Sequence, residues 1–187
     1  PGLDCHATLT LNAGTGPPEE AAALVGYCLA KEVPNVSFTV CNEIYMAKDE
    51  EETVLDVPIG KTPEEYVAFF KRTQELVSEF APEVKLGAIG LVNSPTFPLN
   101  KYPTWQPVVL RELAGQMAFL DIHNGYAPGL RRPFIPGQST LSDEDFAAAF
   151  LAAPKSVKEN LDETFEQLAL FGGEAGAMTP VAISEYG

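Results

Sequence analysis

The fold is read most directly from Thr62-Pro63-Glu64-Glu65, the apolar series Tyr66, Phe69, Phe70, Leu76, Val77 and Phe80 after it, and then Val84-Lys85-Leu86-Gly87-Ala88-Ile89-Gly90-Leu91. Thr62 with Glu65 three residues later makes a capping box, and Pro63 suits the first helical position. The apolar series recurs at helical spacing, so an amphipathic helix follows, ended by Ala81-Pro82. The run Val84–Leu91 is apolar without alternation and carries small glycines, which suits a strand buried on both faces. A helix leading into a strand of that kind is the unit of a parallel α/β sheet.

The same unit repeats in both directions. Upstream, Ala7–Asn12 reads as a strand, and Gly14-Thr15-Gly16-Pro17-Pro18 turns the chain. A helix to about Lys31 follows, with Pro17 at its first position and Glu19 and Glu20 at its positive end. Val36–Cys41 is a second strand, ending at Asn42-Glu43. Downstream of the central strand, Pro107–Met117 reads as a helix and Ala118–His123 as a fourth strand. Ser142-Asp143-Glu144-Asp145 opens a helical region that is expected to break or kink near Pro154 and to cap at Gly172-Gly173. Pro180–Glu185 is the fifth strand. Five strands alternating with four helical connections imply right-handed parallel crossovers. The long connections, roughly Ile44–Lys61, Val92–Thr104 and Asn124–Leu141, all follow strands, which marks the carboxyl ends of the strands as the functional face.

Composition narrows the function classes. The 187 residues are 45% hydrophobic and 20% charged, enough apolar material for a core. With 26 acidic and 12 basic residues the net charge is −14, and no Lys/Arg cluster forms a polyanion-binding surface, so neither nucleic acid nor an anionic membrane is an expected partner. No apolar run approaches the ~18 residues of a transmembrane helix. The acidic run Asp49–Glu52 reads as a solvated loop. Cys5, Cys28 and Cys41 show no CxxC spacing, and His6 and His123 lack HExxH context, so no metal site is expected. Gly14-Thr15-Gly16 lacks both phosphate-loop patterns, and Pro17 and Pro18 remove backbone donors, so it reads as a tight turn. No GxSxG elbow is present. The chain begins at Pro1 without a signal sequence and stops at Gly187 just after an apolar strand, so a piece of a longer protein is expected.

Two carboxylates stand out by position. Glu43 and Glu185 each follow an apolar strand, and the parallel sheet puts both strand ends on one face. If the sheet curls into a barrel, the two glutamates converge across its mouth. One then protonates a leaving oxygen while the other attacks the sugar carbon or activates water, and a spacing of about 5–5.5 Å serves retention. Asn42 can hydrogen-bond a sugar hydroxyl. His123 and Tyr126 follow the fourth strand within reach of a carboxylate, although His123 taken alone reads first as a satisfied structural histidine. Trp105 and Tyr102 either stack on sugar rings or pack the loop.

Asn42-Glu43, the His123 loop and Ile183-Ser184-Glu185-Tyr186-Gly187 together resemble the clan A glycoside hydrolases, retaining enzymes on a (β/α)8 TIM barrel. The stretches Asn12-Ala13-Gly14-Thr15-Gly16 with Glu19-Glu20-Ala21-Ala22, and Tyr66-Val67-Ala68-Phe69-Phe70 with Lys85-Leu86-Gly87-Ala88, are similar to the α-L-arabinofuranosidases of glycoside hydrolase family 51. The resemblance implies a partial TIM barrel over residues 1–187, truncated at both ends, with five parallel strands that correspond to barrel strands three to seven. It implies Glu43 as acid/base and Glu185 as nucleophile, with Asn42, His123, Tyr126 and Trp105 toward substrate, a neutral oligosaccharide or polysaccharide. No cofactor is expected, and the full-length protein is expected to be compatible with a homo-oligomer. The alternatives are another clan A activity (a β-xylosidase or endoglycanase) and a non-catalytic carbohydrate-binding barrel. The chain departs from the family in two places: Cys41 stands where the family usually has Gly before Asn-Glu, and His123-Asn124-Gly125-Tyr126 replaces the usual His-x-Tyr.

Overall fold

The structure, a computed structural model, describes residues 6–46, 61–91, 103–123 and 142–185. Its elements alternate throughout: β1 (Ala7–Leu11), α1 (Pro18–Ala30), β2 (Val36–Val40), α2 (Pro63–Ser78), β3 (Gly87–Ile89), α3 (Trp105–Leu113), β4 (Leu120–His123), α4 (Asp143–Ala177) and β5 (Val181–Glu185). All neighbouring strands pair in parallel in the order β1-β2-β3-β4-β5. The sheet curls into a half-barrel, consistent with a partial TIM barrel. Among the described residues no helix is long and apolar enough to cross a membrane. Most of the three long connections, Tyr102, Tyr126 and the side chain of Glu185 lie outside the described residues.

Strand alternation divides the sheet into two faces. Leu11, Phe38, Val40, Ala88, Leu120 and Ile122 join one apolar core with Val25, Tyr66, Phe70, Val77, Val109, Leu110, Leu113 and Leu168 of the helices. The other face carries Thr8 and Thr10 in β1, Thr39 opposite Thr10 in β2, and Asp121 and His123 in β4. This second face is the more polar of the two.

The helix starts follow the sequence closely. In α2 the Glu65 backbone N–H donates to the Thr62 hydroxyl and the Thr62 N–H donates to the Glu65 carboxylate, completing the capping box. Ser142 caps α4 by accepting from the Asp145 N–H. Pro17 is the cap of α1 and Pro18 its first residue, one position later than expected. Two expectations need correction. The helix around Pro154 does not break there: Pro154 is exposed, and α4 runs through it. Helical geometry is lost at Gly173 (φ 60°, ψ −147°), at the expected Gly172-Gly173 cap, where the absent Cβ permits a positive φ. The third helix begins at Trp105 rather than Pro107, which takes Trp105 out of the preceding loop and into the first turn.

Candidate active site

The site grows from the way β2 ends. Its ladder to β3 is only two residue pairs long, Thr39↔Gly87 and Val40↔Ala88, so backbone groups beyond it need other partners. The Tyr66 hydroxyl provides them: it donates to the Val40 carbonyl (3.0 Å) and accepts from the Ile89 N–H (2.9 Å). Tyr66 is fully buried, and burial before all else pushes its phenol well above its ordinary pKa, so the hydroxyl keeps its proton for that bond. The Trp105 indole N–H donates to the Ile89 carbonyl (3.3 Å). Its ring packs against Tyr66, with centroids 5.0 Å apart, and edge-on to Tyr45, with centroids 5.5 Å apart. Tyr45 is two residues beyond Glu43, in a turn of 3₁₀ helix at Ile44–Met46. Three aromatic side chains therefore anchor the end of β2 from below.

Trp105 is 0% exposed, so the option of sugar stacking is corrected: it packs the core under the site. The role of Tyr66 was hidden in the sequence because its position in the helical stripe marks it only as apolar. A phenol among Phe and Val residues in such a stripe is the one available signal, since a buried Tyr hydroxyl needs a partner.

Above this floor the backbone takes an unusual path. Cys41 (φ 71°) and Glu43 (φ 42°) both lie in the left-handed region that favours glycine. The Cys41 N–H donates to the Leu11 carbonyl (2.9 Å), tying the turn to β1. Burial pushes the Cys41 thiol above its ordinary pKa, while backbone hydrogen bonding and the charge of Lys61 pull the other way. Non-glycine residues held in this region cost of order 1–3 kcal/mol each and cluster at functional sites.

The turn delivers Glu43 to His123. Glu43 Oε1 and His123 Nδ1 are 2.7 Å apart, with the imidazole 8% and the carboxylate 28% exposed. The fourth strand's histidine thus meets the carboxylate that follows the second strand. Asn42 is exposed beside them at the rim. On the far side of β4 the backbone of Glu185 pairs with His123, across a register irregularity between Ile122 and His123. Glu43, His123 and the Glu185 backbone accordingly occupy one end of the sheet. Among the described residues no group of three or more His, Cys, Asp or Glu side chains is arranged to hold a metal ion. A carboxylate in a hydrogen bond with an imidazole can hold or pass a proton, which is acid–base chemistry.

Several solved structures of similar architecture are glycoside hydrolases. A Thermotoga maritima α-L-arabinofuranosidase, solved with arabinose, matches 95% of this chain at TM-score 0.64 and 20% identity. A family 51 α-L-arabinofuranosidase from Bifidobacterium longum matches 97% at TM-score 0.67 and 18% identity. A family 44 xyloglucanase from Paenibacillus polymyxa matches 97% at TM-score 0.57 and 11% identity. The fold is a partial (β/α)8 barrel. The chain spans about a third of the length of the two arabinofuranosidases, 33% and 36%, and 44% of the xyloglucanase. No protein-family profile matches the sequence, and no curated protein does.

Proposed function

We propose that this chain is the central part of a retaining glycoside hydrolase barrel, with its strands as barrel strands three to seven, acting on α-L-arabinofuranosyl side chains of neutral plant saccharides. The observation that carries the reading is the Glu43–His123 contact at the carboxyl rim of a sheet that has the fold of family 51 enzymes. In this reading Glu43 is the acid/base. It protonates the leaving oxygen, then takes a proton from water when the glycosyl-enzyme is hydrolysed. Glu185 is the nucleophile, and its backbone beside His123 supports that role without bearing on the side chain. His123 orients the Glu43 carboxyl and shares its proton. Asn42 faces a sugar hydroxyl, and Tyr126 steadies the nucleophile. The activity belongs to the whole protein in which these five strands stand.

The test uses that whole protein. A mechanism-based fluoroglycoside should label Glu185, and azide should rescue Glu43→Ala to a glycosyl azide of retained configuration. Labelling of another residue, or an inverted azide product, overturns the assignment. The similarity to the family 44 xyloglucanase supports a second reading, an endo-acting glucanase. Turnover of xyloglucan without turnover of an aryl α-L-arabinofuranoside would decide for it.

A further inference from the structure

Asp121 lies two residues before His123 in β4, so alternation brings both side chains out of the same face of the sheet, while Leu120 and Ile122 leave the other. Asp121 is 3% exposed, and its Oδ1 has no hydrogen-bond partner among the described residues. A buried carboxylate oxygen without a donor is costly, and such a group calls for an explanation beyond packing. Same-face neighbours on a strand are about 6.5–7 Å apart, within the Debye length of about 8 Å at physiological ionic strength. The Tyr66 phenol, pushed up mainly by burial, is raised a little further by the charge of Asp121.

We propose that Asp121 is a positioning residue for the Glu43–His123 pair: its buried charge, one pleat below the imidazole, keeps the last proton on that pair to higher pH. Among the described residues, the titratable and charged groups on the elements that flank the pair include Cys41 at the end of β2, Lys61 ahead of α2, Tyr66 from α2 and Asp121 from β4, and the backbone of Glu185 lies beside His123. Cys41 and Tyr66 are held neutral by burial, and the cation Lys61 works against Asp121. The sign follows from charge alone. When the pair loses its last proton its net charge goes from zero to minus one, and a fixed negative charge opposes that change whichever partner held the proton. The catalytic consequence rests on the reading of Glu43 as proton donor, because a general acid has to be protonated at the working pH.

In the complete protein, the His123 imidazole is titrated by heteronuclear NMR in the wild type, Asp121→Asn, Asp121→Ser and Thr39→Val. Thr39 is the control, since it too is 3% exposed with an unpartnered hydroxyl on the same face but carries no charge. Both Asp121 variants should lower the observed pKa by about one unit, a tenfold change in proton affinity, and Thr39→Val should leave it in place. The alkaline limb of kcat/KM should move down by the same amount. An unmoved titration in the Asp121 variants, or an equal shift in Thr39→Val, overturns the proposal. A shifted titration in a protein without glycosidase turnover supports the role of Asp121 and removes Glu43 as proton donor.

Discussion

The ends of β1 and β2 are neighbours in the sheet, built from similar strands, and they close in opposite ways. After β1, Asn12 accepts from the Gly14 and Thr15 N–H groups, and its side-chain amide donates to the Thr15 hydroxyl. Every one of those bonds is made within three residues, and none of these residues has a positive φ. After β2, two non-glycine residues take positive φ, and the polar side chain reaches His123, 80 positions away. A turn that satisfies itself locally serves the chain's path. A turn that accepts backbone strain and sends its carboxylate to another strand is what a site of the proposed kind would need.

The largest expected effect falls on the second turn alone. In the complete protein, Glu43→Gln should lower kcat on substrates with poor leaving groups by about 10²–10⁴-fold, and much less on aryl glycosides with good ones. Asn12→Ala should leave kcat unchanged and lower only the melting temperature. Steady-state kinetics on both substrate types test this, and an equal loss in the two variants would erase the distinction.

The next effect concerns the floor. Trp105→Ala should destabilise by about 3–5 kcal/mol, as expected for a large buried aromatic, and chemical denaturation will measure it. If Trp105 were a stacking surface, as its sequence position allowed, the loss would fall on KM rather than on stability. Tyr66→Phe is subtler. It removes only the hydroxyl that bridges Val40 and Ile89 and strands a buried N–H and C=O, so a cost of about 1–3 kcal/mol is expected. It should also reduce kcat, because Glu43 hangs from that strand end.

The smallest effect probes the strain directly. Ala ordinarily beats Gly in a folded chain, but at φ 71° the order should invert. Cys41→Gly should be more stable than Cys41→Ala by about 1 kcal/mol, read from paired thermal melts. The opposite order would mean that the β2 turn is as relaxed as the β1 turn.

Much of the architecture was legible before any coordinates. The capping box at Thr62–Glu65 and the Ser142 cap are local signals, complete within a few residues, and each appears where its chemistry places it; at Gly173 the helical geometry breaks as expected, but a last stretch of helix follows to Ala177. The parallel order followed from the alternation of helical and strand periods, and with it the placement of Glu43 and Glu185 at one end of the sheet. The break expected at Pro154 does not occur because a proline's penalty is local while helix continuity is collective: one exposed proline does not end a helix that runs on to Gly172.

What the residue pattern could not carry is which side chains meet. Helical and strand periods identify faces, so Glu43, His123 and Glu185 could be assigned to one rim from sequence, and Tyr66 and Trp105 to apolar or loop surroundings. Whether a face meets a sugar, a core or a carboxylate depends on the register of β2, β3 and β4 and on the curl of the sheet, which are sums over many weak contacts between distant residues. That is why Trp105 moved from a candidate sugar platform to a buried support, and why Tyr66 moved from an apolar stripe to the bridge between two strands. It is also why His123 was fixed to Glu43 rather than merely near a carboxylate. Local chemistry determined the elements and their parallel order; tertiary packing, by closing distances of 80 residues to 2.7 Å, determined the partners.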